Sequence, residues 1–166
     1  MKYHLKHTLQ IPADAYFKLI TSQEFDASLV VKLNLASRTE LEKIDTPDRL
    51  FRKVKMVTKP VSDTTRAFLK VSQVECIETF DVDRKNSTFK WDFLPNVMAD
   101  KIKLSSTGKV TPAGPESCVR EMEIDFTVKV FLIGSQIEKK AGSRIEDGFA
   151  KINNALEEFY KNSLKA

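Results

Sequence analysis

Four ionisable residues stand where strand alternation points the side chain inward: His7, Arg52, Glu78 and Arg120. An ionisable group taken out of water must be paired or neutralised, because isolated burial costs several kcal/mol. Such residues therefore serve one of two ends. An inward arginine holds a carboxylate or phosphate by two parallel hydrogen bonds and orients the polar head of a ligand, and His7 is of the right type for a base. The alternative is structural: Glu78 pairs with an arginine inside the fold, and Arg120 reaches water from a strand end. A metal site is not indicated, since His4 and His7 fall on opposite faces of one strand. The chain also lacks a GxSxG elbow, a phosphate-binding glycine loop, HExxH and a dinucleotide fingerprint, and it has five glycines in all. No catalytic residue and no cofactor is assigned from these patterns.

A second set of residues could form an apolar ligand surface. Phe89, Trp91, Phe93, Met122, Ile124, Phe126 and Val128 share inward faces of strands, and Ile145, Phe149 and Ile152 share the apolar stripe of a helix. Facing each other, they line a cavity or fill a close-packed core; sequence does not measure the space between them. The segment at residues 60–72 breaks the strand rhythm and reads as a loop with a short helix. Phe68 and Leu69 are gate candidates over a cavity mouth, unless the segment only plugs one end of the sheet. Lys139, Lys140, Arg144 and Lys151 could attract an anionic membrane surface, but Asp147/Lys151 and Glu157/Lys161 are spaced as i, i+4 pairs and favour a solvated helix face.

These residues need elements to position them. The C-terminal stretch from Gly134 to about Leu164 reads as one amphipathic helix, with Ile137, Ala141, Ile145, Phe149, Ile152, Leu156 and Phe159 or Tyr160 at steps of three and four. Ser135 and Glu138 have capping-box spacing, and Lys161 and Lys165 suit the far end of the dipole. Gly142 and Gly148 suggest a bend or close backbone approach. Ahead of it, Lys2–Gln10 alternates as a strand, and Ala13–Thr21 and Phe25–Leu33 read as short helices. Strands are then expected over Leu35–Ile44, Leu50–Thr58, Gln73–Val82, Thr88–Leu94, Lys101–Val110 and Cys118–Leu132. The pattern is that of an antiparallel sheet with one wet face.

The 166 residues, 42% hydrophobic and 30% charged, suit one domain spanning 1–166 with an ample core. The excess of four positive charges is spread among acids, which fits a solvated surface better than a nucleic-acid footprint. No apolar run approaches a membrane span, and residues 1–10 lack a secretory core, so a cytoplasmic location is expected; the chain is also expected to be a monomer. Cys76 and Cys118 have no CxxC or Cys/His spacing and read as buried thiols, with a bridge between them left open.

The order of elements resembles the START-like (SRPBCC, helix-grip) superfamily, which includes START lipid-transfer domains, polyketide cyclases and the plant pollen-allergen fold. More narrowly it is similar to an uncharacterised, mainly bacterial START-like family. The resemblance rests on His7 in the first strand, the helical region Phe17 to Phe25, the segment Phe68 to Lys70 before the strand carrying Glu78, and VKVFLIGSQIEKKAG from Val128. It implies an α+β helix-grip fold: a curved antiparallel sheet of about six to seven strands wrapped around a long C-terminal helix, with two short helices after the first strand. It also implies a cavity between sheet and helix for a hydrophobic or amphipathic small molecule, such as a lipid. The expectation is a non-enzymatic binding or carrier domain; the alternatives are a cyclase-like or hydrolase-like enzyme using His7 or Glu78, and a filled-core adaptor.

Overall fold

The computed structural model describes residues 1–129 and 134–164, without the side chains of residues 68, 134–137, 140, 141 and 143. The elements are β1 (Lys2–Leu9), α1 (Ala13–Ile20), α2 (Gln23–Lys32), β2 (Leu35–Asp45), β3 (Arg49–Thr58), α3 (Asp63–Leu69), β4 (Glu75–Asp83), β5 (Thr88–Pro95), β6 (Ile102–Gly114), β7 (Ser117–Val128) and α4 (Gly134–Ser163). All seven strands join one antiparallel sheet in the order β1-β7-β6-β5-β4-β3-β2. The sheet is curved and open, and α4 lies in its grip, as expected of a helix-grip fold. Residues joined by short hairpins pair as neighbours, and β1 crosses to the far side of β7, opposite β2.

Local chemistry explains the boundaries. Pro12 precedes α1, where a missing N–H costs nothing. Ser22 separates α1 from α2, its hydroxyl accepting from the Phe25 amide at 3.2 Å. Ser62 caps α3 in the same way through the Thr65 amide, and Lys70 ends that helix in the left-handed region with φ 60°. The α3 excursion is closed at its base by a bond from the Val61 amide to the Ser72 carbonyl at 2.9 Å.

Strand β6 runs on to Gly114, past the end expected at Val110. Pro112 is accommodated beside a register shift close to the β6–β7 hairpin, where a ladder donor is dispensable. Strand β7 alternates as expected, with Met122, Ile124, Phe126 and Val128 buried; Val130 and Leu132 lie outside the described residues. So do Lys165 and the side chains of Ile137, Ala141 and Ser135, and with the last of these the expected capping pair. Glu138 carries a different load: one carboxylate oxygen accepts the Val128 amide at 2.7 Å and the other meets the N-terminal ammonium at 3.4 Å. Glu157, expected to pair with Lys161, instead accepts the Gln10 amide at 2.7 Å.

The two helix glycines differ. At Gly142 the Tyr3 ring lies against the helix backbone, 2.8 Å from where a Cβ would stand, and its hydroxyl donates to the Glu138 carbonyl at 2.6 Å. The helix therefore closes onto β1 at that end. Gly148 has nothing within 4 Å of a Cβ position, so no close approach accounts for it. Cys76 and Cys118 are both free and buried. They lie on β4 and β7, three strand spacings apart, roughly 14 Å, which is beyond the reach of a disulfide within one chain.

Candidate ligand-binding site

Between the sheet and the C-terminal half of α4 the structure leaves a cavity of about 160 Å³. Its position follows from the geometry of the helix. At Gly142 helix and sheet touch, and further along the side chains of Phe149 and Ile152 form the roof of the cavity. The floor comes from inward residues of four strands: Arg52, Val54 and Met56 of β3, Glu78 and Phe80 of β4, Phe89, Trp91 and Phe93 of β5, and Arg120 and Met122 of β7. Tyr16, Ile20, Thr21, Leu29 and Leu33 on and beside α1 and α2 close one side, with Arg38 of β2. Period-two alternation brings the strand residues to one face, and the 3.6-residue repeat puts Phe149 and Ile152 on one side of the helix.

Aromatic rings make up much of the apolar wall. Trp91 meets the Phe149 ring edge-on at 5.9 Å between centroids and lies 5.9 Å from Phe93, and Phe80 and Phe89 are 5.3 Å apart. Gly108 on β6 makes room for Phe89, because a Cβ there would collide with that ring and stand 2.7 Å from the Glu121 carbonyl.

The polar groups fall into two sets. On the β2–β3–β4 side, Arg38 donates to both oxygens of Glu78 at 3.0 and 3.1 Å and to Asp26 at 3.0 Å. Arg52 donates to Asp26 through a short contact and to Glu40 at 2.6 Å. Both guanidiniums are buried, 4% and 3% exposed. Burial by itself would lower the pKa of Arg38, but Glu78 and Asp26 more than offset it and hold the group well above its ordinary value.

On the β7 side, Arg120 is 1% exposed. Its Nη1 donates to the Tyr16 hydroxyl at 3.1 Å, and its Nη2 to Asn153 Oδ1 at 2.7 Å and to His7 Nδ1 at 3.1 Å. Its Cζ stands 5.2 Å from the centre of the Phe149 ring. An arginine has no acceptor, so Nδ1 of His7 accepts and the ring is neutral, with its proton on Nε2. Burial first, and then the adjacent guanidinium, push the His7 pKa below its usual value. Cys76, next to the site on β4, is pushed up to about 11 by burial and then by Glu78, so it is a thiol at neutral pH.

Of the apolar residues expected at a ligand surface, Phe89, Trp91, Phe93, Met122, Phe149 and Ile152 line the cavity. Ile124, Phe126, Val128 and Ile145 do not. They share the correct faces but lie toward the end where α4 closes onto β1, and there they pack the core; Ile124, opposite Tyr3, is fully buried. Arg52, Glu78 and Arg120 line the cavity, whereas His7 reaches it only through Arg120. The expected Glu78 pair exists, with Arg38 as the partner in place of Arg52 or Arg120. Leu69, a gate candidate, is half-buried on α3 and is not part of the lining, and the Phe68 side chain lies outside the description.

Arg38, Asp26, Tyr16 and Asn153 were not legible as site residues. A register shift between Leu35 and Ser37 moves Arg38 onto the inner face, opposite Met56. Among the described residues, no group of three or more His, Cys, Asp or Glu side chains is arranged to hold a metal ion. Nor is any described helix long and apolar enough to cross a membrane.

A curved sheet gripping a C-terminal helix over a cavity is the helix-grip fold of START-like proteins. Within that class, the chain belongs to the family described as "Protein of unknown function (DUF2505)", whose model matches residues 4–159. No curated protein matches the sequence significantly. Among solved structures, the Zhui aromatase/cyclase from Streptomyces sp. R1128 aligns over 100% of this chain and 98% of its own, with TM-score 0.68 and 12% identity. A START superfamily protein from Mycobacterium smegmatis covers 97% of both chains with TM-score 0.62 and 14% identity. Norcoclaurine synthase from Thalictrum flavum, in complex with dopamine and hydroxybenzaldehyde, covers 98% of this chain and 87% of its own with TM-score 0.60 and 16% identity. At these identities the likeness is one of fold.

Proposed function

We propose that this protein is a binding or carrier domain for a compact hydrophobic or amphipathic small molecule, held between the sheet and the C-terminal half of α4. The observation that carries the reading is a cavity with an aromatic wall and buried arginines at its polar edges. Protein interiors normally close such spaces, so one maintained at this size has an occupant as its natural explanation. The volume is similar to the roughly 150 Å³ of an engineered apolar cavity that takes up benzene. Single-ring compounds in the similarly folded norcoclaurine synthase complex support a ligand of that scale. A larger lipid needs Phe149 or the α1–α2 wall to move outward. The two free cysteines fit a reducing compartment such as the cytoplasm.

Binding is favoured over a reaction because the two groups suited to proton transfer are already engaged. Both oxygens of Glu78 accept from Arg38, and His7 is spent on Arg120. The test is native mass spectrometry of gently purified protein against its denatured mass. A reproducible excess mass that disappears on denaturation is expected. A bare mass that persists after incubation with a cell lipid and metabolite extract overturns the proposal.

A further inference from the structure

Arg120 is buried on the cavity wall as a cation without an anion. Arginine stays protonated in proteins, so its charge cannot be relieved by losing a proton. Its three hydrogen-bond partners are the hydroxyl of Tyr16, the amide oxygen of Asn153 and the neutral ring of His7, and Phe149 offers only its π face. Among the described residues no carboxylate comes within 4.0 Å, whereas Arg38 and Arg52 on the opposite wall each hold two. The Nε–H of Arg120 has no acceptor at all among the described residues. An ionised group in such a place is expensive unless something in the cavity completes it.

We infer that the ligand is a compact monoanion, a carboxylate on a single ring or short apolar chain, which neutralises the Arg120 guanidinium on the cavity wall, its carboxylate reaching the covered Nε–H as that side chain shifts, while its apolar part packs on Trp91 and Phe149. This rests on the binding reading above and adds the charge and class of the ligand. A single negative charge is favoured over a phosphate dianion on two grounds. Only one of the three cavity arginines lacks a carboxylate partner, and the Glu78 carboxylate on the far wall repels further negative charge. The cavity volume of about 160 Å³ also suits one ring and leaves little room for the water that a dianion would bring. His7, kept neutral beside Arg120, acts as an acceptor that fixes the guanidinium in place.

The inference is tested by titrating the protein at pH 7.5 with benzoate and 3-phenylpropanoate, and with the corresponding neutral amides, followed by ¹⁵N NMR of the arginine Nε–H and tryptophan indole signals. The acids are expected to bind roughly ten-fold or more tightly than their amides, the scale of a charge-assisted hydrogen bond. They should also shift both the Arg120 Nε–H and the Trp91 indole. In Arg120→Gln the preference for the acid should vanish while amide binding persists. Should that variant fail to fold, the wild-type ratio and the Nε–H shift decide alone. Equal binding of acid and amide at the Trp91 site overturns the anion inference and leaves the binding reading standing. Shifts that spare the Trp91 indole overturn the site assignment. No binding of either kind, together with a bare native mass, removes both.

Discussion

The two polar walls of the cavity solve the same problem by different means. On the β2–β3–β4 side, two buried arginines are surrounded by three carboxylates, Asp26, Glu40 and Glu78, which exchange five charge-assisted hydrogen bonds of 3.3 Å or less alongside the short Arg52–Asp26 contact. On the β7 side, one buried arginine is surrounded by dipoles and a ring face. The first wall is complete within the protein: desolvation is offset by nearby opposite charge, and the cluster joins α2 to three strands. The second has satisfied most of its donors without neutralising its charge. Burial of a charge therefore does not by itself distinguish structure from site. What separates the two walls is whether the protein supplies the counter-charge.

That contrast can be broken or sharpened by substitution. The largest effect is expected from Asp26→Asn, since Asp26 accepts from both Arg38 and Arg52. A loss of about 3 kcal/mol in unfolding free energy by urea titration is expected, at the low end for a broken buried pair because each arginine keeps one carboxylate. A loss no greater than that of an exposed pair would show that the cluster is not a stabilising unit. Next comes Arg120→Met, which removes an uncompensated charge but strands the Tyr16 hydroxyl and the Asn153 amide. The expected cost is about 2 kcal/mol by the same titration, smaller than at Asp26. A cost as large as at Asp26 would erase the distinction between the walls.

Phe149→Leu keeps an apolar roof but removes the ring beside Arg120 and Trp91. A loss of about 1 kcal/mol is expected, on the scale of aromatic and cation–π contacts, together with weaker uptake of single-ring probes. The smallest effect concerns pH. His7 has a folded pKa below its unfolded value of about 6.5, so the unfolded chain takes up its proton first. Its contribution to stability is fully present above about pH 6.5 and is lost as pH falls toward the folded pKa. The partial exposure of His7 keeps this modest. Thermal melts from pH 7.5 to pH 5 should show a fall that is shallower in His7→Gln, and identical profiles would mean that Arg120 does not hold the ring neutral.

The sequence reading found members of both walls where alternation is regular and missed members of both where it is not. Arg52, Glu78 and Arg120 lie on strands with regular alternation, so their inward direction could be read from their parity with Val54, Phe80 and Met122. Arg38 lies just beyond a bulge that reverses parity at the start of its strand, so an alternation count from Leu35 assigns it to the wrong face. Asp26 sits on a helix with almost no amphipathic asymmetry, so nothing marked it as inward. Asn153 is one residue off the expected helix stripe, yet the curved sheet still covers it.

Ile124, Phe126, Val128 and Ile145 show the complementary limit. Periodicity assigns a residue to a face, and these four have the right faces. Whether a face meets a void or a neighbour depends on how α4 meets the sheet at each point: the Tyr3–Gly142 contact closes one end, and Phe149 and Ile152 roof the cavity further along.

From local chemistry alone, the sequence determined the order of elements, the amphipathic helix and the inward direction of most strand residues, an order that resembles the helix-grip class. These follow from backbone periods and capping groups within a few residues of one another. Tertiary structure decided the rest: the partner of each buried charge, the end of the sheet left hollow, and the arginine without an anion. Those depend on distances between residues far apart in the chain, such as the 113 positions separating His7 from Arg120, which no local pattern encodes.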